Sequence, residues 1–461
     1  MSDVLIVGGG HNGLVAAATL ARAGKRVQVL EAREAVGGIC DLLMDGSTLS
    51  PQVVKSLGLT TTPGLTSHAI NHEGRRLALS APQDDPGYAG WRSWVDSVRP
   101  ALAAQLDAPA PDIGATAAVW PLAKAGLSVR KLGKRDMMEL LRVAPSCIDD
   151  WLSESLSDPL LKAALMMPAL QGTWMGPRSP TSAAALLLRE ACRGHAHLAP
   201  AALGPALRDV CLAAGVEITT GAKVVRIRVE SGRVMGVELA DGTAVDGGTV
   251  LSTVGPKATF LRLLDPRQVP GKTAHQMDVV RVRGTLARVE LRGQVDWPGE
   301  HFFIANDPVH LERAFDDVKH RRLPTIAPPL EVGVGLFGDG VSVNCWSAPY
   351  ELRGGWTHEA RGALVTAVLE SLHSAVPGAK DCEVISVKTP VDLEEEYGLD
   401  GGHPNHGEIA LDQLGPMRPS MRLSRYRTDI DGLWLGCAGV HPGGGISGRP
   451  GWLSAQAILG R

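Results

Sequence analysis

The sequence has no closely spaced pair of cysteines. Its seven cysteines stand at positions 40, 147, 192, 211, 345, 382 and 437, and none forms the CxxC spacing typical of metal sites and redox-active disulfides. Chemistry that depends on a dithiol needs two cysteines close enough to bridge. We therefore interpret the seven as reduced, mostly buried thiols, and we expect neither a dithiol centre nor a metal site.

The sequence also has few aromatic residues, no large excess of positive or negative charge, and no long apolar run. Aromatic residues make up 4% of the chain, and 46 Lys plus Arg balance 49 Asp plus Glu to a net charge of −3. A surface without a dominant charge gives no reason to expect a nucleic acid partner. No apolar run approaches the ~20 residues of a membrane span, and no secretory leader precedes the first apolar stretch. We therefore expect a cytoplasmic protein.

Glycine, by contrast, is abundant, and it forms a motif near the N-terminus. The aliphatic run Val4–Val7 predicts a buried parallel strand, and it leads directly into GGGHNG at residues 8–13, a GxGxxG pattern. Small and apolar residues at helical spacing follow and end at Gly24. A second strand is predicted over Val27–Leu30, and Glu31 closes it. The pattern indicates a dinucleotide-binding βαβ unit.

Each part of this unit has a physical reason. Gly8 permits the tight turn, Gly10 lets the backbone approach a pyrophosphate, and Gly13 allows the helix to pack closely on the strand. The carboxylate of Glu31, 18 residues after Gly13, suits ribose hydroxyls and would repel a 2′-phosphate, which favours FAD or NAD over NADP. The predicted cofactor residues here are Gly8, Gly10, His11, Asn12, Gly13 and Glu31.

A second GxGxxG match, at residues 333–338, is rejected. It leads into Asp339-Gly340 and then an apolar run, which predicts a turn and a strand. No helix N-terminus would meet a phosphate there.

Residues 4–38 resemble the extended fingerprint of flavoproteins in the phytoene desaturase and amine oxidase superfamily, because Gly37-Gly38 follow Glu31 at the family's spacing. Residues 426–448 resemble the way that proteins of the phytoene desaturase type end: a predicted strand at 433–435, a glycine-rich loop at 436–445 and a helix at 448–459. The family's Gly-Asp aspartate is missing here, where Cys437 or Ala438 stands.

The resemblance implies that FAD is the cofactor, and it adds residues to the predicted site. These are Ala32, Arg33, Gly37, Gly38, Val224, Gly255, Ala438, Gly439, Gly444, Gly445 and Ile446. His441, inside the C-terminal loop, is the candidate for a catalytic polar group near the flavin. The alternative, a histidine that only bonds loop backbone, is equally consistent with its position.

The expected fold class is α/β, with a Rossmann-type FAD-binding domain and an inserted mixed α+β substrate domain. We assign residues 1–70, 195–265 and 405–461 to the FAD-binding domain, and residues 71–194 and 266–404 to the substrate domain. Hairpin turns at Ser231-Gly232 and Asp241-Gly242 predict antiparallel strands in the middle segment. The first insertion is expected to be largely helical.

Two stretches, residues 171–180 and 407–419, resemble a subgroup often labelled pyridine nucleotide-disulfide oxidoreductase domain proteins, although no suitable cysteine pair is present. Basic residues 130–135 precede the apolar Met137-Met138. We interpret them as a solvated helix end, with peripheral contact to a membrane as the alternative.

The predicted function is FAD-dependent desaturation of a C–C bond in an apolar small-molecule substrate, with hydride transfer to the flavin. The electron acceptor is left open, with oxygen and a quinone as candidates. The alternatives are a flavin amine oxidase, a reduced-flavin isomerase and a flavin-binding scaffold without turnover. Low aromatic content argues against the aromatic cage of an amine oxidase.

Overall fold

A computed structural model of the chain describes residues 2–45, 48–62, 64–79, 83–111, 130–193 and 197–460. The strands in these residues are β1 Val4–Val7, β2 Val27–Leu30, β3 Ser67–Ile70, β4 Arg76–Ala78, β5 Glu217–Thr219, β6 Val224–Glu230, β7 Arg233–Leu239, β8 Ala244–Asp246, β9 Val250–Ser252, β10 Ala287–Arg292, β11 His301–Ile304, β12 Leu330–Val334, β13 Val341–Cys345, β14 Glu383–Lys388 and β15 Leu433–Leu435.

The longer helices are distributed over the whole described chain. They are α1 His11–Arg22, α2 Pro51–Leu57, α3 Tyr88–Leu106, α4 Gly133–Val143, α5 Ile148–Ser153, α6 Pro159–Leu170, α7 Ser182–Cys192, α8 Pro200–Ala213, α9 Gly271–Val279, α10 Pro308–Lys319, α11 His358–Ala375, α12 Pro390–Tyr397 and α13 Arg449–Ile458.

A parallel five-stranded sheet in the order β15-β9-β1-β2-β5 forms the first domain. Its central strand β1 is aliphatic on both faces because each face is covered. Val4 and Ile6 pack with α1 and α8, whereas Leu5 and Val7 pack on the opposite face with residues of β6, β7 and β15. The predicted Rossmann-type fold is confirmed, including the βαβ unit at β1, α1 and β2.

The remaining elements near this sheet also follow local signals. Ser231 and Gly232, at φ 47° and 78°, make the turn between β6 and β7, and β8 completes a three-stranded antiparallel sheet. Gly24 adopts φ 86° after the end of α1. The predicted hairpins and the glycine at the end of the helix are therefore confirmed.

A second sheet has seven strands in the order β14-β10-β13-β12-β11-β3-β4. Helices α3 to α7 follow one another in the first insertion, as expected, and their buried faces share a core with Phe303 and Leu311. Strand β3 pairs with β11, so Ser67–Ile70 lie in the seven-stranded sheet although the sequence boundary at residue 70 counts them with the FAD-binding part.

Residues 333–338, the rejected second glycine match, connect β12 and β13. These two strands pair antiparallel from Leu330↔Cys345 to Val334↔Val341. No helix follows the glycines, so the interpretation as a hairpin turn is confirmed.

Candidate functional site

The glycine loop lies at the carboxyl end of β1, at the edge of the sheet where doubly wound folds bind ligands. Gly8 adopts φ 100°, a conformation that favours glycine. A Cβ on Gly13 would stand 2.1 Å from the Gly8 carbonyl oxygen, so the helix can approach the strand only without a side chain. Protein contacts alone therefore account for Gly8 and Gly13.

Gly10 is different, because nothing in the protein requires glycine there. Its backbone is extended, at φ −66° and ψ 170°, and a Cβ would meet only the Gly38 Cα, at 3.9 Å. Any residue could adopt that conformation without a clash. A glycine at this position, directly before the N-terminus of α1, fits a ligand that must approach the backbone closely.

Glu31 is buried at the end of β2 and holds the loop in place. Its Oε2 accepts a hydrogen bond from the Gly9 amide at 2.5 Å, and its Oε1 accepts one from the Arg33 amide at 2.9 Å. A carboxylate offers about four acceptor positions. Two therefore stay available for the ribose hydroxyls that the sequence assigns to this residue.

The Gly37-Gly38 turn contacts the loop directly. The Gly37 amide donates to the Gly9 carbonyl at 2.9 Å, and a Cβ on Gly38 would stand 3.0 Å from the Gly10 Cα. The Arg33 guanidinium pairs with Asp41 at 2.9 Å and stacks on the Tyr397 ring at 4.0 Å. Ala32, between Glu31 and Arg33, is exposed.

The middle segment lies beside the same edge. The Ala222 amide donates to the Glu31 carbonyl at 2.8 Å, which brings the start of β6 and Val224 close to the proposed ribose position. Gly255 follows β9, and a Cβ there would stand 2.4 Å from Asp400 Oδ2 and 3.0 Å from His406 Nδ1. Val224 and Gly255 thus belong to the surroundings of the cleft.

The C-terminal loop joins this cleft from β15. Gly443, Gly444 and Gly445 adopt φ of 77°, 65° and 59°, so three successive residues lie in the left-handed region that favours glycine. The Gly445 amide donates to Asn405 Oδ1 at 3.1 Å, and the Ile446 amide donates to Thr48 Oγ1 at 3.2 Å. These two amides are therefore occupied by side chains of the protein.

Arg418 holds this loop in place, a role that no local sequence pattern indicates. It is buried, and its guanidinium donates to five backbone carbonyls and to no carboxylate: Asn405 at 2.7 Å, Gly407 at 3.0 Å, Glu408 at 2.8 Å, Gln413 at 3.1 Å and Ala438 at 2.9 Å. Burial lowers the pKa of Arg418 to about 10, so the group carries its charge at neutral pH. Gly439 packs on Pro256.

Two helix N-termini meet at the cleft. Helix α13 begins at Arg449 and packs on α1, where a Cβ on Gly451 would stand 2.0 Å from the Asn12 carbonyl oxygen. The Arg449 and Gly451 amides at the start of α13 donate to Ser447 Oγ and Asn12 Oδ1, so α13 contributes its partial positive charge rather than free amides. Together with the N-terminus of α1, this charge favours an anionic group nearby.

Buried imidazole nitrogens without a hydrogen-bond partner lie near the loop. They include His11 Nε2, His403 Nε2 and His406 Nδ1. Burial lowers the pKa of His11 to about 4 and of the other two to about 3, which keeps all three neutral. Buried polar atoms normally have partners. The unpaired nitrogens, the open space at Gly10 and the spare acceptors of Glu31 together fit FAD.

His441 is buried, with its Nε2 2.9 Å from the Ala108 carbonyl oxygen and its Nδ1 without a partner. Burial lowers its pKa below the usual range. The contact with backbone matches the alternative given for this residue, and its catalytic role stays a prediction.

A cavity of about 880 Å³ adjoins the C-terminal loop, and we call it the inner cavity. Gly443, Gly444 and Gly445 form one side of it. Its apolar walls come from Leu43, Met44, Leu106, Pro168, Ala169, Ala185, Leu188, Trp346, Ile409 and Leu414. Trp346 is the one aromatic residue among the described residues that line it. The lining has the composition of an apolar small-molecule site.

The described residues contain no group of His, Cys, Asp and Glu that could hold a metal ion. The seven cysteines, all described, are free thiols. Within the described residues, no helix is both long and apolar enough to cross a membrane.

Comparisons with known proteins agree with this geometry. Residues 6–51 match the model of an NAD(P)-binding Rossmann-like domain, and residues 175–323 match that of FAD dependent oxidoreductases. Pyridine nucleotide-disulfide oxidoreductase domain-containing protein 2 of Rattus norvegicus is 29% identical, over 99% of this chain and 93% of its own length.

A further relative and a solved structure are also similar to this chain. One of the subunits of limonene dehydrogenase from Castellaniella defragrans is 23% identical, over 99% of this chain and 94% of its own length. The structure of wild-type putrescine oxidase bound to putrescine aligns with a TM-score of 0.59 at 18% identity, over 100% of this chain and 99% of that one. This last likeness is one of fold.

Proposed function

We propose that this chain, which its domains and relatives identify as an FAD-dependent oxidoreductase, dehydrogenates a C–C bond of an apolar organic substrate. The observation that carries the proposal is the inner cavity, whose apolar walls adjoin the glycine-rich loop at the cofactor cleft. The limonene dehydrogenase polypeptide among the relatives supports it, since that name denotes dehydrogenation of a hydrocarbon.

The chain's own residues bind and orient the cofactor. Glu31 accepts hydrogen bonds from the ribose, and the N-terminus of α1 with Gly10 receives the pyrophosphate. The N-terminus of α13 and the buried charge of Arg418 make this end of the cleft electropositive. FAD, when bound, supplies the acceptor for a hydride.

The walls of the inner cavity position the substrate and exclude water. Leu43, Met44, Trp346, Ile409 and Leu414 line the cavity, so that an apolar carbon skeleton replaces solvent beside the loop. Burial of that skeleton contributes about 25 cal/mol per Å² of apolar surface. The cavity offers orientation and a dry environment, whereas the redox chemistry belongs to the cofactor.

Three other activities are compatible with the fold. A flavin amine oxidase is disfavoured because Trp346 is the one aromatic residue among the described residues that line the inner cavity, too few for an aromatic cage. A reduced-flavin isomerase needs an external reductant for its flavin, and the described residues contain one dinucleotide-binding βαβ unit, which this proposal assigns to FAD rather than to a nicotinamide donor. A scaffold without turnover would not reduce its flavin with any substrate.

Anaerobic reduction of the flavin separates these activities. The FAD-loaded protein is mixed in turn with apolar alkenes including limonene, with putrescine, and with NADH or NADPH, and the flavin absorbance is followed. We expect bleaching by an alkene alone. Rapid bleaching by putrescine would establish the amine oxidase, and bleaching by a nicotinamide the reductase or isomerase. An unchanged spectrum with every compound would favour the scaffold.

Electrons leave the reduced cofactor for oxygen or a quinone in this proposal. Contact with a membrane surface is compatible with it, because Met138 and Leu141 of α4 are exposed beside the basic Lys134 and Arg135.

A further inference from the structure

A second cavity, of about 1190 Å³, lies next to the inner one, and we call it the outer cavity. Asp45, Pro168 and Arg189 line both cavities. Asp45 and Arg189 form an ion pair with each other. The boundary between the two cavities therefore includes the Asp45–Arg189 ion pair, whose two side chains can move apart.

Helix α7 forms part of the wall and presents a different face to each side. Ala185, Leu188, Arg189 and Cys192 line the inner cavity, whereas Leu186, Arg189, Glu190 and Arg193 line the outer one. Each set has helical spacing, and Arg189 belongs to both. The inner face is largely apolar, and the outer face is largely charged.

The arginines of the outer cavity share their carboxylate partners unequally. Among the described residues that line it, three arginines stand with two carboxylates. Glu190 serves both Arg92, at 2.8 Å, and Arg193, at 3.8 Å, while Asp45 pairs with Arg189. Arg92 has a second carboxylate partner, Asp96 at 2.9 Å, whereas the ion pair of Arg193 with Glu190 is the longest among those of the three arginines that line the cavity. Arg193 is therefore the arginine best placed to accept a further carboxylate.

His197 provides an independent sign of a ligand. It lines the outer cavity, its side chain is 5% exposed, and neither Nδ1 nor Nε2 has a hydrogen-bond partner. An imidazole buried without any partner is uncommon in proteins. Burial lowers its pKa, so the ring is neutral at pH 7 and offers one N–H donor. A carboxylate oxygen would accept from it.

We propose that the two cavities hold one amphipathic carboxylic acid, with its carboxylate at His197 and Arg193 in the outer cavity and its hydrocarbon part in the inner cavity. The carboxylate competes with Asp45 for Arg189, so the ion pair opens as the substrate passes between the cavities. This inference rests on the proposed function and adds the substrate class: long apolar acids.

Binding to the FAD-loaded protein tests the inference without turnover. The probes are cis-parinaric acid, which fluoresces in apolar surroundings, and its methyl ester, which has the same chain without the charge. We expect the acid to bind the wild type more tightly. His197→Phe should weaken acid binding by about tenfold or more and leave the ester within about twofold, whereas His197→Gln should retain part of the preference.

Substitutions of the two residues of the ion pair should change the affinity for the acid in opposite directions. Arg189→Gln removes a cation from the site and should weaken acid binding. Asp45→Asn removes the competing carboxylate and should strengthen it by a few fold. If the pair only stabilised the fold, both substitutions would lower the melting temperature and neither would discriminate acid from ester. His358→Phe and Arg208→Gln, at exposed positions outside both cavities, are the matched controls.

Equal affinity of acid and ester for the wild type, or weaker acid binding in Asp45→Asn, would overturn the inference. The experiments distinguish failure of this inference from failure of the proposed function. Flavin bleaching by a neutral alkene with no preference for the acid would leave the desaturase and remove the outer cavity as a carboxylate site. A preference for the acid without bleaching by any acid or alkene would retain the binding site and remove the desaturase.

Discussion

At the scale of single residues, we expect substitution of Gly10 to affect cofactor binding alone, and substitution of Gly13 to affect protein stability as well. Gly10→Ala introduces a methyl group that meets no protein atom closer than 3.9 Å, so the apoprotein should keep its stability within about 0.5 kcal/mol. That methyl group would occupy the space for the pyrophosphate, and FAD affinity should fall about tenfold or more. Thermal unfolding of the apoprotein and fluorescence titration with FAD measure the two effects.

Gly13→Ala is the comparison, because its Cβ would stand 2.1 Å from the Gly8 carbonyl oxygen. This variant should lose about 1–3 kcal/mol of stability as well as the cofactor. Equal loss of stability in the Gly10 and Gly13 variants would show that Gly10 serves the protein rather than the ligand.

Glu31→Gln should weaken FAD binding by about 1–3 kcal/mol, the cost of losing a charged hydrogen-bond acceptor. The amide group of the new side chain would also meet the Gly9 or Arg33 N–H, each of which now donates to the carboxylate. Glu34→Gln, at an exposed position nearby, is the control. Unchanged FAD affinity in Glu31→Gln, measured by titration of the apoprotein, would remove the ribose assignment.

The residues that could be predicted from the sequence are those with local signals. The glycines at 8–13, Glu31 and the turn at Ser231-Gly232 depend on neighbours within one βαβ unit or one hairpin. Arg418 and the Asp45–Arg189 pair depend on partners far apart in the chain, and no periodicity signals them. The only sequence signal for Arg418 was the subgroup resemblance of residues 407–419.

At the scale of elements, Arg418 connects the C-terminal loop to residues 405–413. Arg418→Met leaves four buried carbonyls without a donor, because only the Glu408 carbonyl keeps a second one, from Gln413 Nε2 at 3.3 Å. The change should cost about 3 kcal/mol or more of stability, and flavin content should fall because the loop loses its support. Arg418→Lys, with fewer donors but the same charge, should lie between the methionine variant and the wild type.

Arg422→Met is the control for this arginine, since Arg422 is 54% exposed and paired with Asp429 at the surface. Urea unfolding of the apoproteins gives the comparison. A loss of less than about 1 kcal/mol in Arg418→Met would mean that water replaces the guanidinium, and that the loop does not depend on it.

At the scale of the whole molecule, the neutral buried histidines make stability depend on pH. The folded-state pKa values of His11, His403 and His406 are about 4, 3 and 3, below the value of about 6.5 in the unfolded chain. The unfolded state therefore binds more protons between these values. Stability is fully present above pH ~6.5 and decreases as the pH falls toward 4 and below, by up to about 1.4 kcal/mol per pH unit for each imidazole.

Melting temperatures of the apoprotein from pH 8 to 4 measure this dependence. Substitution of His403 by Gln should reduce the slope below pH ~6.5, and the exposed His358→Gln should leave it unchanged. If the melting temperature depends on pH equally in the wild type and in both variants, carboxylates rather than these histidines account for the pH dependence.

The order of strands in the parallel sheet has a consequence for biosynthesis. The sheet is assembled from β1 and β2 near the start of the chain, β5 and β9 near the middle, and β15 at Leu433–Leu435. A nascent chain can form the first βαβ unit early, but the edge that carries the C-terminal loop cannot pair until the residues up to Leu435 have left the ribosome. Such non-local pairing slows folding and leaves strand edges exposed in the meantime. The cofactor cleft is therefore completed only once β15 has joined the sheet, and FAD can stabilise the complete domain only from that moment.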